Sequence, residues 1–299
     1  MSRTVNIYDA AAANRVRTLV LIVVFVAIVA ALAYVAGEYF APGGGVALLP
    51  FAFAFSIGSS LVSYYAGDRL VLAQSQAKPL ADGEERQLRD VVETLALGIG
   101  VPTPAIYVIE DPAPNAFATG RDPKHASVAV TRGLLEKMDR TELEGVIAHE
   151  LSHVGNRDIR VMLLVTILVG TIALLSDWML RSMWWGGGRR DRDRGSGGSI
   201  FAIVAIVLAI LTPIIAVLIQ LAVSRQREYL ADASGALLTR YPPGLANALR
   251  KIAADTEPLR VANKATASLY IANPLHDHNA FMDNLFNTHP PIQERIRRL

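Results

Sequence analysis

The sequence predicts a mainly α-helical membrane protein: four transmembrane helices, plus an α+β domain divided between two stretches of chain outside the spans. Two observations carry this. Of 299 residues, 52% are hydrophobic and only 19% charged, against roughly 25% charged in an ordinary soluble domain, and the mean hydropathy is +0.32. The apolar residues are also gathered into four runs, each about the 20 residues that cross a ~30 Å hydrocarbon core. The same composition excludes other classes. With no cysteine there are no disulfides, Fe–S clusters, thiolate zinc sites or cysteine nucleophile. A net charge of +2, with 9 Phe, 9 Tyr and 3 Trp thinly spread, offers no basic-aromatic platform, so nucleic acid is not a partner. The apolar content is too high for disorder over most of the chain.

After an N-terminal tail (1–15), a hairpin of two spans occupies 16–67. The first span, 18–37, carries no charge; the second, 46–67, also carries none and follows the Pro-Gly-Gly-Gly turn at 42–45. A signal peptide is the alternative for the first. Its run exceeds the 7–15 apolar residues typical of a signal core, and a second span follows at once. The stretch 68–160 forms the first part of the domain. Within it, Leu88, Val91, Val92 and Leu95 recur at helical spacing and predict a helix over 83–97. The β-rich segments 105–108 and 127–131, bounded by Pro or Gly, predict strands. Thr141 and Glu144 have the spacing of a capping box, opening a helix that runs towards the third span. A second hairpin fills 161–223: one span at 161–180, with Asp177 near its end, and one at 200–223, kinked by Pro213. The glycine- and arginine-rich loop 181–199 between them reads as a flexible connection, with contact to lipid headgroups as the alternative. The remainder, 224–299, is the second part of the domain. The two parts together have the size of one domain.

The predicted helix after 141 contains His149-Glu150-Leu151-Ser152-His153. Residues i and i+4 share one helix face, so both imidazoles can bind one metal, and Glu150 can take a proton from a water the metal activates. Leu143, Ile147, Leu151 and Val154 form the apolar back of the same helix. Alone, the motif competes with a bland alternative, a polar face with two unrelated histidines. A hydrolytic zinc commonly has three protein ligands and an open position. The remaining histidines are His125, His276, His278 and His289, but Glu228 is the better third ligand. It begins a helical stretch after the fourth span, with Asp232 four residues on, placed to accept a hydrogen bond from the outer nitrogen of a ligand histidine. The alternative for Glu228 is a solvated acid in the company of Arg225 and Arg227. Topology favours the ligand. His153 and Glu228 are 75 residues apart with two spans between them, and two crossings return the chain to the side it left.

With these motifs in order, the chain resembles the HtpX-type membrane zinc metalloproteases, relatives of the CAAX prenyl endopeptidases. The likeness covers nearly the whole chain. It rests on the opening spans, Asn115-Ala116-Phe117-Ala118-Thr119-Gly120, the motif at 149–153, the later spans, Glu228 to Asp232, and the ending Thr288-His289-Pro290-Pro291 with Glu294-Arg295-Ile296. The resemblance implies a zincin-like (gluzincin) metalloprotease domain with one Zn2+ held by His149, His153 and Glu228. Glu150 is then the general base and Asp232 the partner of a ligand histidine. It implies polypeptide substrates, chiefly damaged membrane proteins, and a multi-pass location in the bacterial inner membrane with the active site cytoplasmic. Asn115 is expected in the substrate cleft near an edge strand, against the alternative of a loop Asn tolerating left-handed φ. His289 either approaches the metal's open position or packs the C-terminal helix.

An extended substrate is expected to pair with an exposed strand, for which 127–131 is the candidate. Two rival functions are a CAAX-type processing protease and a non-enzymatic membrane protein with a structural metal. Four spans in a bacterial-looking chain argue against the first. Spans almost free of ionisable residues argue against a transporter-like version of the second. For orientation, Arg3, Arg15 and Arg17 flank the first span and loop 38–45 has no Lys or Arg, which favours both termini in the cytoplasm. Arg189, Arg190, Arg192 and Arg194 in the second loop pull the other way.

Overall fold

Glycine and helix-forming apolar residues shape the N-terminal hairpin first. In the computed structural model, which describes residues 7–40, 43–168, 170–171, 225–261, 266–272, 274 and 290–299, helices α1 (Ile7–Phe40) and α2 (Gly44–Gln74) pack against each other along the hairpin. Gly43 turns the chain with φ +81°. A Cβ on Gly37 would stand 2.6 Å from the Cα of Gly45, so the helices close at this end only because residue 37 is glycine. Among the described residues α2 is the one helix long and apolar enough to cross a membrane, and the apolar run of α1, Thr18–Tyr34, is shorter. The predicted spans 161–180 and 200–223 and the loop 181–199 lie outside the described residues, apart from a helical start at 158–168 and 170–171.

The last turns of α2 leave the span and enter the soluble core. Val71 and Leu72 are buried with Phe117, Ala129, Ile109 and Tyr270. They cover one face of a four-stranded sheet made of β1 (Lys78–Pro79), β2 (Ala105–Ile109), β3 (Ala116–Gly120) and β4 (Ala126–Thr131), in the order β1-β2-β4-β3. β2 and β4 are parallel; β1 on β2 and β3 on β4 are antiparallel. The alternation of strand side chains sends Ile106, Val108, Ala116, Ala118, Val128 and Val130 to the opposite face. There they meet α3 (Arg86–Ile99), α5 (Arg140–Gly155) and α8 (Pro242–Ala254); α4 (Arg132–Lys137) precedes α5, and α6 (158–168) and α7 (Arg225–Thr239) lie between α5 and α8 in the chain. The C-terminal helix α9 (Ile292–Arg298) packs on α8.

The predicted helix at 83–97 is α3, and its four named apolar residues are buried. The strands at 105–108 and 127–131 are β2 and β4. Two expectations are corrected. The strand 127–131 is not an exposed edge, because β2 and β3 flank it; the edge beside α5 is β3. The capping box of α5 is Asp139 with Glu142, not Thr141 with Glu144. Asp139 accepts from the Glu142 N–H at 2.9 Å and Glu142 accepts from the Asp139 N–H at 2.8 Å, so the helix starts two residues earlier. Thr141, inside its first turn, donates to Asp139, and Glu144 pairs with Arg140. As expected, α5 runs towards the third apolar run; it ends at Gly155 with Asn156 as its cap, and Arg157, with φ +60°, breaks the axis before α6.

Candidate active site

The expected apolar back of α5, Leu143, Ile147, Leu151 and Val154, is fully enclosed, but so is the opposite face: His149, Glu150 and His153 are each under 5% exposed. Two glycines explain how a helix can be covered on both sides. A Cβ on Gly145 would stand 2.5 Å from the backbone N of Leu245, and one on Gly235 would stand 3.0 Å from the backbone N of His149. α8 and α7 therefore meet α5 backbone to backbone. Gly235 lies seven residues after Glu228 and three after Asp232, on one face of α7. The close approach at Gly235 thus delivers both acids to the imidazoles.

His149, His153 and Glu228 come together, with one ligand-type atom from each lying within 4.8 Å of the others. The two Nε2 atoms are 3.3 Å apart. Glu228 Oε2 is 3.7 Å from His149 Nε2, and Oε1 is 3.5 Å from His153 Nε2. Each histidine has a carboxylate on its outer nitrogen. His149 Nδ1 is 2.9 Å from Asp232 Oδ1, the partner the sequence pointed to, and His153 Nδ1 is 3.3 Å from Asp158 Oδ2. Such carboxylate–histidine pairs fix the tautomer that leaves Nε2 free to coordinate.

The charge balance also fits a cation. Four buried carboxylates (Glu150, Asp158, Glu228, Asp232) stand with two buried guanidinium groups (Arg227, Arg295). Burying uncompensated charge is costly, and one divalent ion neutralises the two-charge excess. Burial alone would lower the pKa of His153, but its hydrogen bond with Asp158 and the charge of Glu228 outweigh burial and hold it up at about 9. Burial carries His149 the other way, to about 4. Burial pushes Glu150 up to about 7, against the opposing pull of His153 and of the Ala118 N–H that its carboxylate accepts. Asp232 falls to about 2, since its bonds to His149 and Arg295 overcome the burial that would raise it.

Arg295, Asp158 and Arg227 were not singled out by sequence reasoning as site residues. Asp158, five residues after His153, falls past the helix break. Arg295 is fully buried, and its Nε and Nη2 grip Asp232 at 2.9 and 2.7 Å. Arg227 lies 3.6 Å from Asp158. Asn115 sits immediately before β3, 4% exposed. Its Oδ1 accepts from the Ala116 N–H and its Nδ2 donates to the Ala272 carbonyl at 3.2 Å. It is not among the left-handed residues, which are Gln76, Glu85, Arg157 and Arg240. His125 pairs with Asp122 on the surface, away from the cluster. His276, His278 and His289 lie outside the described residues.

A helix with HExxH spacing, a glutamate from a second helix and an adjoining edge strand define a metallopeptidase. The sequence model of peptidase family M48 matches residues 82–299. The chain belongs to that family. It is similar along its whole length to proteins named Protease HtpX homolog. With that of Thermoanaerobacter pseudethanolicus it shares 47% identity over 302 residues, covering 100% of this chain and 98% of the relative. With that of Tropheryma whipplei (strain TW08/27) it shares 45% over 292 residues, covering 98% and 97%. Among solved structures it is similar to the crystal structure of S. mikatae Ste24p, with a TM-score of 0.50 and 20% identity. That match covers 95% of this chain but 65% of the other, so the chain spans about two thirds of that protein's length. At this identity the likeness concerns the fold alone. The chain is thus a membrane metalloprotease.

Proposed function

We propose that the chain is a zinc-dependent endopeptidase, held in the bacterial inner membrane by four spans, that hydrolyses misfolded or damaged membrane proteins from the cytoplasmic side. The observation that carries the reading is the His149–His153–Glu228 cluster beside Glu150 and the edge strand β3. Zinc held by His149, His153 and Glu228 would supply a Lewis acid that polarises a scissile carbonyl and acidifies water. Glu150 is the base: a buried carboxyl with a pKa near 7 accepts a proton from the attacking water and passes it to the leaving amine. The Ala118 N–H orients that carboxylate from the edge strand, so catalytic base and substrate strand share one support. An extended peptide pairs antiparallel to β3 through main-chain hydrogen bonds, which read little sequence and suit broad specificity.

The test uses the purified full-length protein in detergent. Zinc content and hydrolysis of casein, or self-cleavage, are measured with and without a chelator and compared with Glu150→Gln. Both proteins should carry about one zinc, with hydrolysis confined to the chelator-free wild type. Activity that survives chelation sinks the metallopeptidase reading, and a Glu150→Gln protein that loses zinc sinks the role given to Glu150.

A further inference from the structure

Among the described residues Arg295 is the largest side chain that is fully buried, and all three of its nitrogens are used. Nε and Nη2 form a fork on Asp232, which holds Nδ1 of His149. Nη1 donates to the carbonyl of Ile271 at 2.8 Å and lies 3.9 Å from Glu228. Ile271 belongs to a buried strap, residues 270–272, laid across the start of β3. Its N–H donates to the Ala116 carbonyl at 3.0 Å, and the Ala272 carbonyl accepts from Asn115. In the β3–β4 pairing, Asn115 exchanges bonds with Thr131; by alternation Ala116 and Ala118 turn their backbone groups outward. At Ala116 both of those groups are occupied, the N–H by the Asn115 side chain and the carbonyl by Ile271. An incoming peptide strand therefore finds the edge closed at Ala116 and, since the Ala118 N–H already serves Glu150, begins its pairing at the Ala118 carbonyl.

One guanidinium thus joins the partner of a metal ligand to the strap that ends the substrate edge. We propose that Arg295 is a positioning residue that sets both the orientation of His149, through Asp232, and the end of the substrate register, through Ile271. Only a planar fork with a further nitrogen can make these contacts at once, and a lysine ammonium offers a point charge in their place. The register half rests on the peptidase reading; the metal half does not.

The experiment compares Arg295→Lys and Arg295→Gln with Ile296→Ala in the full-length Glu150→Gln protein, which cannot cleave itself. Ile296 packs on the core from the same helix and touches none of these polar groups, so it controls for loosened docking of α9. Zinc affinity is read by competition with a chromophoric chelator, and the Ile271 amide by hydrogen exchange. Cleavage positions on a set of peptides are read with Glu150 restored. Both Arg295 variants should lose 10–100-fold in zinc affinity, the range for a disturbed ligand partner. Both should exchange the Ile271 amide at least tenfold faster and add cleavage positions to the wild-type pattern, while Ile296→Ala keeps the wild-type values. Arg295→Lys retains the buried charge, so it serves if the Gln variant does not fold. Wild-type affinity and protection in Arg295→Lys, loss of one without the other, or equal losses in Ile296→Ala each overturn the proposal. Zinc affinity and amide exchange need no hydrolysis, so an inactive wild type would overturn the peptidase reading while leaving these two readouts to judge Arg295.

Discussion

Glu228 and Asp232 sit one helical turn apart on α7, yet their removal should have unequal effects. Glu228 faces both Nε2 atoms, so Glu228→Ala should abolish stoichiometric zinc and activity. Asp232 acts through Nδ1 of His149, and Asp232→Ala should cost the milder 10–100-fold in affinity expected of an outer partner. Competition titration with zinc measures both, and full zinc occupancy in Glu228→Ala would remove it from the ligand set. His149, Glu150 and His153 were legible because their geometry is local, set by four-residue spacing on one helix. Glu228 and Asp232 were legible because the same spacing recurs with acids. Arg295 was not, because nothing near residue 295 announces that its side chain crosses the core to a carboxylate 63 residues away.

At the level of elements, the site depends on how closely α7 and α8 approach α5. Gly235→Ala gains helix propensity, about 1 kcal/mol, but its Cβ would meet the backbone of His149 at 3.0 Å. The expected outcome is near-normal thermal stability with zinc affinity reduced on the order of tenfold, as for other disturbed ligand supports. Gly145→Ala would instead meet the Leu245 backbone at 2.5 Å, away from the ligands. It should lower stability by about 1–3 kcal/mol, the usual cost of overpacking, while the folded fraction binds zinc normally. Differential scanning of the two variants alongside zinc titration separates these effects. The sequence disclosed α3, β2 and β4 through apolar periodicity and β-branched residues. It hid β3, because Ala-Phe-Ala-Thr-Gly is poor in β-formers and pairs only because β4 offers it a ladder. It hid β1, two residues long and ending in Pro79, for the same reason. The capping box was misplaced because Asp139–Glu142 and Thr141–Glu144 offer the same spacing two residues apart, and only the path of the chain chooses between them.

For the whole molecule, the sequence reading of both termini in the cytoplasm yields a labelling prediction. In intact cells an impermeant thiol reagent should modify Ser196→Cys and not Ser2→Cys, both positions lying outside the described residues; the opposite pattern would invert the orientation. Hydropathy made the apolar run of α2 legible, but not its continuation, since the helix passes the predicted end of the span at 67 and reaches Gln74. Near that predicted end, Arg121 lies 5.7 Å from the ring centre of Tyr65 and Arg160 lies 5.6 Å from that of Tyr64. Tyrosines at a span's end mark the headgroup level, and Arg121 directly follows Gly120, where β3 stops. Under the membrane placement proposed above, the strand becomes a ruler with its zero at the bilayer surface. From Gly120 back to Ala118 is two residues, about 7 Å at ~3.4 Å each, so on the proposed reading a substrate leaving the lipid would reach the catalytic base after only a handful of residues. On that reading, a tail too short for a protease that floats free in the cytosol to grasp would, for this one, already be long enough to cut.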